Sequence, residues 1–199
     1  PSLLRQSIAS LGTICLNTAA KPFGDAAIAA MGIIGRITMF SNSAMLGFGQ
    51  GFQPVCGFNY GAKLYDRVKK GYFFLIKASV LGLLAFSVVE FIFAEQFVGI
   101  FRDDPNVIAI CAKALRFQCV TLVLNSFIIS SNMLLQTTGQ MVPASILGVA
   151  RQMFLIPCLW IFTGLFELTG LQMSQPIADV LTFVIAIPMV VKFLRKLEK

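Results

Sequence analysis

The sequence predicts an all-α membrane protein, a bundle of six transmembrane helices. Three observations carry that expectation. The 199 residues are 57% hydrophobic and only 13% charged, with a mean hydropathy of +0.81, whereas soluble domains carry about 25% charged residues. The apolar residues gather into runs that match a hydrocarbon core, which takes roughly 20 helical residues to cross. The basic residues collect in alternate connections between those runs. Six spans use about 120 residues, so this length holds six spans and not twelve.

The first span is read over residues 3–20. The chain opens at Pro1, inside an apolar segment, with no initiator methionine, charged n-region or small-residue cleavage site. It is expected to be a fragment or a processed piece and not to begin with a signal peptide. Lys21, Pro22, Phe23, Gly24 and Asp25 separate it from a second span over 26–56, which Asn59, Tyr60 and Gly61 follow. A third span covers 71–93. Asp103, Asp104, Pro105 and Asn106 precede the fourth, over 107–135, and Gly139 to Pro143 divide it from the fifth, over 142–166. The sixth covers 171–194. The second and fourth are about 30 residues each, roughly 45 Å of helix against a core of about 30 Å, so each must tilt, bend or project. Pro54, with Gly47, Gly49 and Gly51 before it, favours a bend in the second.

Charge placement sets the orientation. The connection after the second span carries Lys63, Arg67, Lys69 and Lys70, and the C-terminal tail carries Lys192, Arg195, Lys196 and Lys199. Adding Arg5, nine of the sixteen basic residues fall on one side and only Lys21 and Arg102 on the other. By the positive-inside rule both chain ends are cytoplasmic. The net charge of +7 is therefore an orientation signal, and no nucleic-acid partner is expected.

Several chemistries lack their working groups. Histidine is absent, and Cys15, Cys56, Cys111, Cys119 and Cys158 are dispersed at spacings that match no zinc site or disulfide framework. Without a nucleophile and base, hydrolase, metalloenzyme and redox functions are excluded, and no cofactor is expected. The glycines near residues 47–61 lack the GK[ST] context of a phosphate cradle. Their spacing in Gly47-x-x-x-Gly51 and Gly57-x-x-x-Gly61 suits close helix packing. Nineteen Phe and eight Met supply a soft apolar lining that mostly faces lipid or the bundle.

Charges inside spans are costly and point to a cavity, a pair or a snorkelling end. Lys77, Glu90, Lys113 and Arg116 lie near span ends, where snorkelling, or pairing of Glu90 with Lys113 or Arg116, accounts for them. Arg36 and Arg151 are about ten residues from the nearest end, or about 15 Å, and either face a wet cavity or brace the bundle. Asp179 follows Gln175 and Pro176 deep in the sixth span; it binds a cation or proton, caps a broken turn, or pairs with a basic residue of a neighbouring helix. Gln6, Asn17, Asn42, Gln50, Gln118, Asn125 and Gln152 either bond across helices or line an aqueous path.

The stretch from Gly47 to Lys63, GFGQGFQPVCGFNYGAK, resembles the end of the second helix of the carboxy-terminal lobe in the multidrug and toxic compound extrusion (MATE) family. Pro1 to Ser7, Gln136 to Gly139 with Pro143, and Gln175 to Asp179 are similar to the same lobe, in order along the whole chain. The resemblance implies that residues 1–199 form one six-helix lobe of a twelve-helix antiporter. It also implies alternating access, with export of small organic, often cationic, compounds in exchange for sodium ions or protons. The implied partners are an amino-terminal six-helix lobe, membrane lipids and the substrate, in the cell membrane. Gln6, Asn17, Asn125, Arg151 and Asp179 become candidates for the substrate or ion cavity, and Gln50, Gln53, Pro54, Asn59 and Tyr60 for a hinge or inner gate. Some members carry cation-binding carboxylates on the helices that correspond to the first and fourth spans. Here those spans offer amides, which cannot take up a proton at neutral pH, so the coupling carboxylate is expected in the amino-terminal lobe. Two other functions stay open: a lipid-linked oligosaccharide flippase of the same superfamily, for which Arg36, Arg116 and Arg151 would hold a diphosphate, and a non-transporting membrane scaffold.

Overall fold

A computed structural model describes residues 2–197, with side chains from residue 7 onward. The described residues are helical throughout, with no strand among them: α1 (Ser2–Ala20), a 3₁₀ turn (Lys21–Phe23), α2 (Asp25–Gly61), α3 (Tyr65–Ile92), α4 (Ala94–Phe101), α5 (Pro105–Thr137) and α6 (Met141–Lys196).

Helix ends follow local chemistry. Asp104 accepts from the backbone amides of Asn106 at 3.0 Å and Val107 at 3.5 Å, and Pro105 occupies the first turn, where no amide is required. This cap starts α5 two residues before the expected 107. At its other end Gly139 takes φ 76°, and the amides of Gly139 and Gln140 return to the carbonyls of Gln136 and Leu135. That is a Schellman closure. Lys63, at φ 57°, closes α2 in the same way, through the bonds of Lys63 to Tyr60 and Leu64 to Asn59. The second helix therefore runs through Asn59 and Tyr60 to Gly61, five residues beyond the expected 56, and α3 begins at Tyr65 and not at 71. Residues 94–101, expected to be a connection, form α4, whose Ala94 and Val98 pack into the core.

The expected fifth and sixth spans are the two arms of α6, residues 141–166 and 168–196, divided by Glu167 at φ 51°, ψ −127°. The arms run back alongside each other. Ser174 Oγ lies 3.4 Å from the carbonyl of Cys158, although 16 residues of straight helix would separate them by about 24 Å. Gly170 makes the reversal possible, since a Cβ there would overlap the Phe162 carbonyl.

Three helices, α3, α5 and α6, are long and apolar enough to cross a membrane. The helices α1 and α2 are not among them; polar residues such as Asn17, Arg36, Asn42, Gln50 and Gln53 lower their hydropathy. The outer surface is an apolar belt: Phe40, Phe74, Ile100 and Val120 are each at least 70% exposed, which water would penalise and lipid does not. The chain is a membrane protein.

Two apolar cores form within the bundle. One gathers around Ile34, Leu115, Leu159 and Leu171, the other around Tyr72, Leu134, Leu147 and Val190. Between them α2, α3, α5 and α6 contribute buried polar groups, among them Ser41, Ser79, Gln118, Thr121, Asn125, Asp179 and Thr182.

Candidate functional site

This polar layer centres on Asp179, whose carboxylate has no solvent exposure. Arg151, on the facing arm of α6, donates Nε to Oδ1 in an ion pair. Oδ2 accepts from Gln118 Nε2 at 2.7 Å and from Asn125 Nδ2 at 3.3 Å. Thr121 Oγ1 lies 3.4 Å from Oδ2 and 3.2 Å from the Gln118 carbonyl, so its single proton serves one of them. Gln118, Thr121 and Asn125 share a face of α5 because they are spaced at three, four and seven residues. Of the roles open to Asp179 in the sequence, the structure selects pairing with a basic residue on a neighbouring helical arm.

In front of this cluster lies a cavity of about 480 Å³ between α1, α2 and the two arms of α6. Asn17 and Arg151 line it, together with Arg36, Asn42, Gln152 and Gln175. The Thr38 hydroxyl, the Asn42 Oδ1 and the Gln152 Oε1 are buried beside it with no hydrogen-bond partner among the described residues. Buried polar atoms in native proteins are satisfied by protein, water or ligand, so this wall is built to be wet or occupied. Gln152 also fixes the seating of α1, since its amide fills the space a Cβ at Gly12 would need.

The other expected cavity residues are placed differently. Asn125 is 3% exposed and Asp179 is fully buried; both stand behind the cavity as supports of Arg151 and neither lines it. The side chain of Gln6 lies outside the described residues. Among the motif residues Gln50 and Pro54 are exposed, and Gln53, Asn59 and Tyr60 half-buried. Asn59 Nδ2 donates to the Val55 carbonyl at 2.7 Å, which supplies a bond in the last turns of α2. The Tyr60 ring packs 5.8 Å from Tyr65 and 6.5 Å from Phe193, joining the ends of α2, α3 and α6. Gly47 and Gly51 meet no neighbour among the described residues; the close approach within them is at Gly49, against Met133 of α5.

Glu90 and its expected partners require a correction. Glu90 is 2% exposed and turned inward, where its Oε2 accepts from the Cys119 thiol at 3.6 Å. Arg116 pairs with Glu95 at 3.4 Å and lies over the Phe91 ring at 5.9 Å, and Lys113 donates to Thr169 Oγ1 at 3.2 Å. The helix α4 is the cause, because it brings Glu95 to Arg116. Arg116 is partly exposed, in keeping with a snorkelling position near a span end, and does not share the cavity of Arg36 and Arg151, as the flippase would require.

The MatE family model matches residues 1–161. The multidrug export protein MepA of Staphylococcus saprophyticus is 28% identical over 179 residues, which cover 90% of this chain and 40% of that protein. MepA of Staphylococcus aureus is 29% identical over 183 residues, with the same shares covered. Among solved structures, the Vibrio cholerae MATE transporter VcmN in its bent form matches with a TM-score of 0.91 at 21% identity, over 99% of this chain and 45% of that one. A crystal structure of MATE in the straight conformation matches with a TM-score of 0.91 at 24% identity, over 100% of this chain and 45% of that chain. The chain spans about 40% of the length of the curated relatives it matches.

Proposed function

Because the chain belongs to the MatE family, we propose that it forms one six-helix lobe of an alternating-access exporter of small organic compounds, driven by inward movement of sodium ions or protons. An amino-terminal lobe completes the transporter, and both ends of this lobe are cytoplasmic. The relatives named above are export proteins and not enzymes. The observation that carries the reading is the cavity of about 480 Å³ with Asn17, Arg36, Asn42 and Arg151 on its wall, in a chain whose outer surface is otherwise a lipid-compatible belt. Arginines and amides on a cavity wall in such a chain are useful only if something polar passes through or resides there.

The residues Gln50, Gln53, Pro54, Asn59 and Tyr60 act as hinge and inner gate. Pro54 lacks an amide for the helical ladder, and the Tyr60 ring sits where the cytoplasmic ends of three helices meet. Asp179 is committed to Arg151, Gln118 and Asn125 and offers no free carboxylate, which supports a coupling acid in the amino-terminal lobe. A flippase is less well supported, since it draws on three arginines and only Arg36 and Arg151 converge.

The test is ethidium efflux from cells that express the complete protein, with the sodium and proton gradients collapsed separately. Loss of efflux under one treatment identifies the ion. Absence of ethidium export under every condition, with the protein in the membrane, counts against export of cations and moves weight to the flippase. Neutralising the buried acids of the amino-terminal lobe is expected to abolish coupling; unaltered coupling would move that role to Asp179 or Glu90.

A further inference from the structure

The geometry points to an oxyanion as the ligand group that this lobe recognises, held between Arg36 of α2 and Arg151 of α6. The inference rests on the transporter reading and names the chemistry of its cargo.

Both arginines line the same cavity, and no Asp or Glu is among its lining residues. The nearest acid, Asp179, has zero exposure and stands behind Arg151. It engages the guanidinium through Nε alone, and the Arg151 side chain remains 26% exposed. The pair is thus polarised, with its anion in the protein and its cation toward the cavity. Arg36 adds an uncompensated charge. It has no hydrogen-bond or ion-pair partner among the described residues, and it lies 11 residues into α2, about 16 Å from the helix start. A lone cation at that depth needs water or a counter-ion. Two arginines and one acid leave a net charge of +1 at this wall, and the formal charge that faces the cavity is wholly cationic.

An organic cation would meet like charge here. A carboxylate, sulfonate or phosphate matches the flat donor edge of a guanidinium. Asn17 and Asn42 on the same wall add amide groups that suit the polar remainder of such a molecule. The cavity volume falls within the range of small-molecule sites, roughly 300–1,000 Å³.

The experiment measures binding by fluorescence anisotropy with the purified full-length transporter in detergent. Carboxyfluorescein stands for a soluble organic acid, a fluorescent farnesyl diphosphate analogue for a lipid headgroup, and ethidium for a cation. At least one oxyanion probe is expected to bind, and the one that does identifies the source. Arg36→Gln should weaken it about 10-fold or more, and Arg36→Lys should recover part of the loss. No polar contact of Arg36 is lost on substitution, and the lysine variant preserves the charge if the glutamine variant fails to fold. Tighter binding of ethidium than of both oxyanions, oxyanion affinity unchanged in Arg36→Gln, or no oxyanion binding at all overturns the inference. Binding is read without transport, so intact oxyanion binding with absent export refutes only the transporter reading.

Discussion

Replacing Asp179 by asparagine separates an ion pair that holds the lobe together from one that merely sits in it. The substitution keeps the side-chain shape and removes the charge. An amide has one oxygen, whereas Asp179 accepts on both, from Arg151 at Oδ1 and from Gln118 and Asn125 at Oδ2. Whichever way the asparagine turns, its NH₂ faces donors. Removing one partner of a buried pair costs 3–5 kcal/mol; because the Arg151 side chain is 26% exposed and can reach cavity water, the lower end applies, about 3 kcal/mol. Arg151→Gln with Asp179→Asn removes both charges and should cost about 1 kcal/mol, a coupling of several kcal/mol between the sites. Equilibrium unfolding of the full-length protein in mixed SDS micelles measures this, followed by thiol labelling of Cys56, Cys111, Cys119 and Cys158, which are buried in the native lobe. Asp179→Asn within about 0.5 kcal/mol of wild type, with no coupling, would refute the structural role.

The same unfolding assay checks three further outcomes. Gly170→Ala should destabilise the lobe by about 2–3 kcal/mol, because the new Cβ falls on the Phe162 carbonyl and backbone must move; wild-type stability would show that the two arms of α6 are not so close. Glu167→Gly should stabilise by about 1 kcal/mol or more by releasing a non-glycine residue from φ 51°, ψ −127°, and a loss of stability would mean that the glutamate side chain holds the turn. Tyr72→Phe removes a buried hydroxyl 2.8 Å from Ser131 Oγ and should cost about 0.5–1 kcal/mol; no loss would mean that this link between α3 and α5 contributes nothing.

The parts of the fold that depend on one residue's neighbours in sequence were legible. Apolar runs marked the long helices, and Asp104 with Pro105 and Gly139 marked the ends of α5. Even so, the Schellman closure at Lys63 was hidden, because the left-handed position is held by a lysine and not by glycine. The helix α4 was hidden for a different reason: eight residues are too few to span lipid and were read as a connection. The site was legible only as a set of separate costs. Deep charges in lipid must be paired or wetted, which singled out Arg36, Arg151 and Asp179. Which arginine meets the aspartate depends on how the two arms of α6 face each other after the reversal at Glu167, and the expected break between 166 and 171 located that reversal without fixing which faces meet. Gln118 and Asn125 read as undecided between bonding and lining for the same reason: the deciding partner is more than 50 residues away.

The position of the polar layer follows from α5. This helix packs against α2, α3, α4 and α6 and has buried residues along its whole length, so the polar side chains on its buried face have neither lipid interface nor bulk water to turn to. Each must find protein. Gln118 and Asn125 reach Asp179, Ser131 reaches Tyr72, and Asn132 Nδ2 reaches the Ala144 carbonyl at 2.6 Å. Lipid supplies little hydrophobic drive between helices, so apolar packing alone would leave the rotation of α3 and α6 about α5 weakly specified. The hydrogen bonds specify it. The helix α1 is outside this arrangement: it packs mainly on α6 and makes few contacts with α2, and the gap between α1 and α2 is where the cavity opens. The same network that fixes α6 against α5 also aims Arg151 into that gap. Orientation of the cavity cation and cohesion of the lobe are therefore one property, and a substitution at Gln118 or Asn125 reaches the cavity without touching it.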